Sequence, residues 1–206
     1  NDHWYCENGR YAVGPATIHD AHPIGDATTT DVLAKSSNIC TAKIAARQGR
    51  ERLHDILARF GFGKRTNVDL PGERMGQLRE AARMGPVETA TIAFGQGMTA
   101  TPLQIAAAYG AVANGGVWHQ PHVLRRITDG RGTEIKTHNS GERTVVSKDV
   151  AKTLRRMLHA VTQKGGTAES LSVPGYTFAG KTGTAQKVDP ATRRYSTDKW
   201  ASSFVG

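Results

Sequence analysis

A five-residue run near the C-terminus, Gly180-Lys181-Thr182-Gly183-Thr184, combines a cation, two hydroxyls and two glycines in a stretch that otherwise has strand character. Glycine weakens a strand and lysine prefers its surface, so this combination favours close approach by another molecule. An extended peptide could add to the strand edge, with Gly183 leaving room for it. Lys181, Thr182 and Thr184 would then bind a carboxylate. An ordinary edge strand protected by its lysine is the alternative that these residues alone leave open.

A second polar group, Ser36-Ser37-Asn38, separates two helical stretches. Serine and asparagine are preferred helix caps, and a cap is the simplest interpretation of the group. Chemistry is compatible with capping, because a hydroxyl at Ser36 and an amide at Asn38 lie two positions apart at a turn. Both could reach one cleft, where the hydroxyl would relay a proton and the amide would bind a peptide bond.

The elements that must position these groups follow from apolar spacing, caps and glycine stops. Helices are predicted from Thr30, over 39–47, over 50–60, over 103–113 and after the cap Ser147, whose stripe comprises Val150, Leu154, Met157, Leu158 and Val161. Residues 62–90 are predicted to be loops. Strands are predicted over 123–128, 134–137, 176–186 and 200–205, the last two joined by a polar loop over 187–199. The pattern predicts an α+β fold in which helices outnumber strands until the end. The alanine-rich helix 103–113 is expected to be the most buried.

Two other patterns are weaker candidates for sites. Residues 89–94 as a strand, followed by Gly95-Gln96-Gly97-Met98-Thr99-Ala100, match the dinucleotide-binding pattern. No acidic residue follows about 20 positions later, and the helix at Pro102 begins too late for that pattern. His19, His22, His119 and His122 lie beside prolines without a third ligand nearby, and we interpret them as loop histidines rather than metal ligands.

The composition is that of a globular domain with a basic surface. The 206 residues are 38% apolar, the formal net charge is +9, and no uninterrupted apolar stretch reaches the length of a membrane span. Nucleic acid, anionic lipid and a carboxylate-bearing polymer are all compatible with this charge. A nucleic-acid-binding module stays an alternative, although no recognition motif is present. The densest basic set is interpreted as a solvated helix face and comprises Lys148, Lys152, Arg155 and His159.

The S-x-N and K-T-G motifs, in this order, resemble those of the penicillin-recognising serine transpeptidases and serine β-lactamases, which also carry an S-x-x-K element. Other segments are similar to class B penicillin-binding proteins, and the resemblance runs from about Gly9 to Gly206. The sequence after Lys181-Thr182-Gly183 is most similar to the division-type, septal branch. The segments are Phe60-Gly61-Phe62-Gly63, Leu70-Pro71-Gly72-Glu73, Phe94-Gly95-Gln96-Gly97, Thr101-Pro102-Leu103-Gln104, Ala113-Asn114-Gly115-Gly116, Gly165-Gly166-Thr167-Ala168, Thr184-Ala185-Gln186-Lys187-Val188-Asp189-Pro190 and Phe204-Val205-Gly206.

The resemblance implies a transpeptidase-like α+β fold with a helical region packed on an antiparallel sheet. Residues 1–206 would be a single partial domain, mainly helical over 1–165, with the K-T-G strand and the following hairpin strand in 166–206. The implied activity is serine-type peptidoglycan D,D-transpeptidation at division. The implied partners are stem peptides ending in D-Ala-D-Ala, β-lactams in the full-length protein, and candidate division-machinery proteins. No metal or organic cofactor is implied.

Residue roles follow from the same resemblance. Ser36 would belong to the proton relay, Asn38 would hold the substrate amide, and Lys181 would add positive potential near Ser36. Thr182 and Thr184 would bind the terminal carboxylate beside Gly183, and the backbone N–H of Thr184 would form half of the oxyanion hole. We therefore expect Ser36, Asn38, Lys181 and Thr184 to converge.

The family's nucleophilic serine, from S-x-x-K, is not found before Ser36. Ser196-Thr197-Asp198-Lys199 follows the K-T-G strand, and Cys40-Thr41-Ala42-Lys43 would need cysteine in place of serine, so we interpret both as coincidences. We expect the nucleophile upstream of Asn1 and the chain to be truncated at both ends. A non-catalytic peptidoglycan-binding domain is the alternative if no such serine exists.

The resemblance also implies an extracytoplasmic domain on the periplasmic side of the inner membrane, anchored by an N-terminal span outside these residues. A disulfide is permitted in that compartment, but the sequence does not establish that Cys6 and Cys40 meet.

Overall fold

A computed structural model describes residues 2–137, 141–193 and 195–206. Within these ranges the chain has six α-helices and ten β-strands, which confirms the α+β class. The helices are α1 (Thr29–Ala34), α2 (Asn38–Gln48), α3 (Arg50–Arg59), α4 (Pro86–Ala93), α5 (Pro102–Ala113) and α6 (Lys148–Ala160). The strands are β1 (His3–Tyr5), β2 (Arg10–Val13), β3 (Ala16–His19), β4 (Asp26–Thr28), β5 (Val117–His119), β6 (Arg126–Thr128), β7 (Glu134–Thr137), β8 (Glu142–Thr144), β9 (Lys181–Val188) and β10 (Tyr195–Val205).

The described strands form five two-stranded antiparallel ladders: β1–β4, β2–β3, β5–β8, β6–β7 and β9–β10. Eight strands precede residue 165, so the expectation that helices outnumber strands until the end is wrong. Each of these eight is three or four residues long, which is too short to show a clear alternation of apolar and polar residues. No helix in the described part of the chain is both long and apolar enough to cross a membrane.

The chain divides into two compact units. The first comprises Asn1–Leu53, Ala81–Gly97 and Thr153–Gly206, and the second comprises His54–Glu80 and Met98–Lys152. All the candidate site residues fall in the first unit. The grouping of residues 1–206 into one domain stays a prediction.

The core of the first unit lies around α2, which packs against α4. Helix α2 begins where the Ser37 hydroxyl accepts the Cys40 N–H at 3.1 Å, and it ends at Gly49, whose φ of 84° favours glycine. Cys6 and Cys40 form a disulfide whose Cα atoms are 5.1 Å apart. The buried residues of this core are Cys6, Ile18, Ala27, Val32, Ile39, Cys40, Ala42 and Ala90.

Two helix starts differ from the expectation. Helix α1 is capped by Thr28 rather than Thr30, because Thr28 and Asp31 exchange hydrogen bonds in a capping box. Residues 89–94 lie not in a strand but mostly in α4, and the expectation of loops over 62–90 is wrong at its end. Proline at the first position of α4 and Glu88 two residues later, which accepts the Gly85 N–H at 3.2 Å, are the start signals that the sequence contained.

In the second unit, α5 packs through Ala111 against Trp118 and Val145. It is not the most buried helix: three of its residues are buried, against four in α2. Gly110 is exposed, and a Cβ there would meet no atom within 4 Å. Small residues permit close packing, but here only one side of the helix uses it.

The remaining differences concern register. Ser147 caps the start of α6, as expected. The inward face of α6 follows positions 151, 154, 158 and 161. Ala151 is therefore fully buried, whereas Val150 is 46% exposed. Strand β9 begins at Lys181 rather than at 176. Strand β10 begins at Tyr195, which pairs with Val188, so the loop expected over 187–199 is shorter.

Candidate active site

The turn between α1 and α2 carries the S-x-N motif. Ser36 has a φ of 58°, a left-handed conformation that costs a non-glycine residue about 1–3 kcal/mol and is often found at functional sites. Ser37 is buried and caps α2, so the cap interpretation is correct for the middle residue. Ser36 is exposed and Asn38 is half-buried, and their side chains are not used in that cap.

Asp20, which directly follows β3, holds this turn. Its carboxylate accepts the Ser37 hydroxyl at 2.6 Å and the Ile39 N–H at 3.0 Å. The Asn38 side-chain amide donates to the His19 carbonyl at 3.0 Å, which fixes the plane of that amide. Sequence reasoning assigned no role to this aspartate, since nothing local connects Asp20 to a motif 17 positions away.

The K-T-G motif opens β9, opposite the end of β10: Lys181 pairs with Val205 and Thr184 with Ser202. The glycines are explained partly by this neighbouring strand. A Cβ at Gly180 would lie 2.5 Å from the Val205 carbonyl oxygen, and one at Gly183 would lie 2.6 Å from the Ser203 hydroxyl. The space that we expected Gly183 to leave for a substrate is therefore taken up on this side by Ser203. A role of Gly183 toward substrate stays a prediction.

Lys181 joins the two motifs. Its Nζ donates to the Ser36 Oγ at 2.8 Å across 145 sequence positions, which confirms the expected meeting of these residues. The same ammonium contacts the carbonyl and hydroxyl of Thr182 at 3.0 and 3.3 Å. Burial lowers the pKa of Lys181, because removal of water disfavours the charged form. An exposed hydroxyl is thus held beside a partly desolvated ammonium.

Thr184 lies three residues beyond Lys181 on β9 and is exposed. Three strand residues span roughly 10 Å, so Thr184 and Ser36 would contact different parts of one extended ligand rather than each other. The convergence of Asn38 and Thr184 with the Ser36–Lys181 pair stays a prediction.

Thr167 is a residue of this region that the chemical reasoning missed. Its hydroxyl lies 2.7 Å from the Thr182 hydroxyl, and its N–H donates to the Ala34 carbonyl at 3.1 Å. It therefore connects the K-T-G strand to the end of α1, just before Ser36. The only signal for it was its position in the Gly165-Gly166-Thr167-Ala168 segment.

The two S-x-x-K-like matches are engaged elsewhere. Ser196 is 8% exposed, and its hydroxyl accepts the Lys199 N–H at 3.1 Å and donates to the Asp198 carboxylate. Cys40 is in the disulfide, and the Lys43 ammonium donates to the Tyr5 carbonyl at 2.7 Å. The Ser196 hydroxyl is thus bound to Asp198 and the Cys40 sulfur to Cys6, which supports the interpretation of both matches as coincidences.

The other weak patterns do not form sites of the kinds considered. The glycine-rich loop after α4 follows a helix, not a strand, and the Gly97 N–H donates to the Tyr195 hydroxyl at 3.2 Å, so the dinucleotide pattern lacks its structural context. Within the described ranges no group of three His, Cys, Asp or Glu residues could hold a metal ion.

Over residues 1–206 the sequence matches the model of the penicillin binding protein transpeptidase domain. This chain belongs to that family. Among curated relatives of this transpeptidase domain, Penicillin-binding protein PbpB of Mycobacterium tuberculosis is 38% identical over 206 residues, which covers 96% of this chain and 30% of PbpB. Peptidoglycan D,D-transpeptidase FtsI of Escherichia coli K12 is 34% identical over 183 residues, covering 89% of this chain and 29% of FtsI.

Solved structures agree with this membership. The apo form of penicillin binding protein 3 from Mycobacterium tuberculosis superposes with a TM-score of 0.89 at 37% identity, covering 95% of this chain and 46% of that chain. The same protein has been solved in complex with aztreonam and with ampicillin. The transpeptidase-like α+β fold and the resemblance to division-type class B penicillin-binding proteins are confirmed. The chain spans about a third of the length of PbpB and FtsI.

Proposed function

We propose that this chain supplies the S-x-N and K-T-G part of a serine-type peptidoglycan D,D-transpeptidase that acts in cell-wall synthesis at division. The observation that carries the proposal is the 2.8 Å hydrogen bond from Lys181 Nζ to Ser36 Oγ. A hydroxyl beside a partly desolvated ammonium can pass a proton between a nucleophile and a leaving amine without leaving charge on itself. Membership in the transpeptidase family supports the substrate class that we propose, the stem peptide ending in D-Ala-D-Ala.

In the proposed reaction a serine of an S-x-x-K element attacks the carbonyl of the penultimate D-alanine. The C–N bond to the last D-alanine breaks, a serine ester forms, and the serine proton reaches the departing amine through Ser36. An amine of a neighbouring strand then attacks the ester carbonyl, the acyl C–O bond to the serine breaks, and a proton of the amine returns to the serine oxygen as the cross-linking amide forms. Asn38, its amide plane fixed by His19, holds the substrate peptide bond. Thr182 and Thr184 bind the terminal carboxylate, and the Thr184 N–H polarises the attacked carbonyl.

The relatives named above give no support to the nucleic-acid-binding alternative. We assign no nucleophile within these 206 residues, so the proposal requires that the gene product carry an S-x-x-K serine outside them. The proposed location is extracytoplasmic, with a membrane anchor also outside them. Division-machinery partners and β-lactam binding belong to the same proposal.

The test is intact-mass measurement after incubation with benzylpenicillin. The 206-residue chain alone should show no adduct, because acylation needs an activated nucleophile. The gene product that contains the chain and an S-x-x-K serine should gain one penicilloyl group, and Lys181→Met should slow its formation. A stoichiometric adduct on Ser36, Cys40 or Ser196 would show that the nucleophile is misassigned. A gene product that never forms an adduct would refute the proposed activity.

A further inference from the structure

The N-terminal segment Asp2–Glu7, here called the brace, contacts both helices that flank the Ser36 turn. Its strand β1 pairs with β4, and β4 continues directly into α1, which ends just before Ser36. The Trp4 indole N–H also donates to the Thr29 hydroxyl at 3.1 Å, at the first residue of α1. The brace therefore fixes α1 from its N-terminal end.

The brace holds α2 through three side chains on one helix face. Cys40, Lys43 and Arg47 lie at positions i, i+3 and i+7, which share a side of an α-helix. Cys40 is bonded to Cys6, and Lys43 Nζ donates to the Tyr5 carbonyl and pairs with Glu7. The Arg47 guanidinium lies 5.5 Å from the centre of the Trp4 ring.

These contacts are of different chemical kinds and are concentrated on one short segment. The Lys43 ammonium also lies 4.9 Å from the ring centre of Tyr11, a residue of β2 outside the brace, so it is held between an aromatic face, a carbonyl and a carboxylate. Cys6 and Cys40 are both fully buried. Their disulfide closes a loop of 34 sequence positions that contains the Asp20 support and the whole Ser36–Asn38 turn.

We propose that the brace, and above all its Cys6–Cys40 disulfide, is a positioning device for the Ser36 turn toward Lys181. Cys40 is two residues after Asn38 and its N–H is the group that Ser37 caps, so movement of Cys40 moves the cap and the Asn38 amide together. A hydrogen bond of 2.8 Å between Ser36 and Lys181 tolerates little displacement. The disulfide acts through Ser36 and Asn38 and does not itself contact the substrate. The inference rests on the proposed function for its kinetic test only.

The test compares the gene product with its Cys6→Ala/Cys40→Ala variant in the second-order rate of acylation by benzylpenicillin. We expect the rate to fall about tenfold, since small displacements of catalytic groups cost one to two orders of magnitude. Val145→Ala, in the core of the second unit, is the matched control: it should lower the melting temperature while leaving the rate unchanged. Equal rates in the disulfide-free variant and the unmodified protein would overturn the proposal. The proposal would also be overturned if, in both the cysteine-free variant and Val145→Ala, the loss in acylation rate were proportional to the loss in melting temperature.

A second variant applies if the cysteine-free variant does not fold. Lys43→Met removes the contacts of Lys43 with Tyr5 and Glu7 while keeping the disulfide, and it should slow acylation by about threefold. An unchanged rate would overturn the proposal. Hydrogen exchange at the amides of residues 37–41 does not depend on activity. Exchange there should accelerate at least about tenfold in the cysteine-free variant, or in Lys43→Met if that variant alone folds. Unchanged hydrogen exchange would refute the positioning role, whether or not the gene product is acylated. A gene product that is never acylated would refute the proposed activity, but not by itself the positioning role.

Discussion

The contact between Lys181 and Ser36 predicts a specific pattern of coupling between two mutations. The perturbations are Ser36→Ala, Lys181→Met and their combination, each made in the gene product that carries an S-x-x-K serine. If the ammonium acts through the Ser36 hydroxyl, removing either group removes the same interaction. The double variant should then be little slower in acylation than the slower single variant.

The magnitude follows from the geometry. The Nζ–Oγ distance of 2.8 Å is that of a strong hydrogen bond with a charged donor, a class worth about 1.5–3 kcal/mol. Because 1.36 kcal/mol corresponds to a factor of ten in rate, each single variant should lose roughly 10- to 150-fold in acylation rate. The coupling energy between the two sites should be about 1.5–3 kcal/mol.

The assay is stopped-flow or quenched-flow acylation by a chromogenic β-lactam, with all four proteins at equal folded fraction. Lys187→Met is the matched control, because Lys187 is exposed on the same strand β9 and its replacement changes the net charge equally. The control should keep the unmodified rate. Fully additive losses from Ser36→Ala and Lys181→Met would refute the argument, since they would show that the two groups act independently.

Asp20→Asn weakens two charge-assisted hydrogen bonds to the turn, so it should lower the unfolding free energy measured in urea by about 1–3 kcal/mol and should slow acylation. Asp26→Asn, at an exposed strand position, is the control and should change neither the unfolding free energy nor the acylation rate. Gly110→Ala should be neutral or stabilise by up to about 1 kcal/mol in thermal unfolding, and Ala111→Leu should destabilise by about 1–3 kcal/mol, because only Ala111 faces the core. Burial lowers the pKa of Lys181, so an acylation rate that needs its ammonium should fall at a lower pH than it would with an exposed lysine. Lys181→Arg keeps the positive charge and should remove that fall up to about pH 11. An unchanged fall of the rate at alkaline pH in Lys181→Arg would contradict this assignment.

The K-T-G motif stood out as a candidate site because its residue types conflict with local structural preference: Lys181 stands among strand glycines. The residues of S-x-N are ordinary helix caps, so its candidate chemistry was only compatible with the local sequence until the resemblance to a family was added. The contact between Lys181 and Ser36 could be expected only through resemblance to a family, because the spacing of apolar residues does not predict which residues 145 positions apart will meet. The capped helices α2 and α5 were predicted to within a residue or two because caps and glycine stops are local signals.

The supporting residues were not predictable in this way, and the reason is physical. Asp20 and Thr167 act by accepting or donating hydrogen bonds across the fold, and an aspartate or threonine in a loop has the same local appearance whether or not it does so. The short strands β1 to β4 were missed for a related reason: three or four residues contain too few alternations to distinguish a strand from a loop. The error over α5 came from treating small residues as a sign of burial on all sides, whereas smallness only permits it.

The turn itself shows why so much support lies outside the motifs. Ser36 is held in a left-handed conformation that serine does not prefer. The Ser37 hydroxyl donates a hydrogen bond to the Asp20 carboxylate, and the Asn38 side-chain amide donates one to the His19 carbonyl. Such a conformation persists only if neighbouring contacts over-determine it. In this chain the neighbours are the Asp20 carboxylate, the brace and Thr167, which reach the turn from three separate stretches of sequence. If, as proposed, the Ser36 hydroxyl acts within hydrogen-bonding distance of Lys181, loss of any of these supports should slow acylation as well as lower stability.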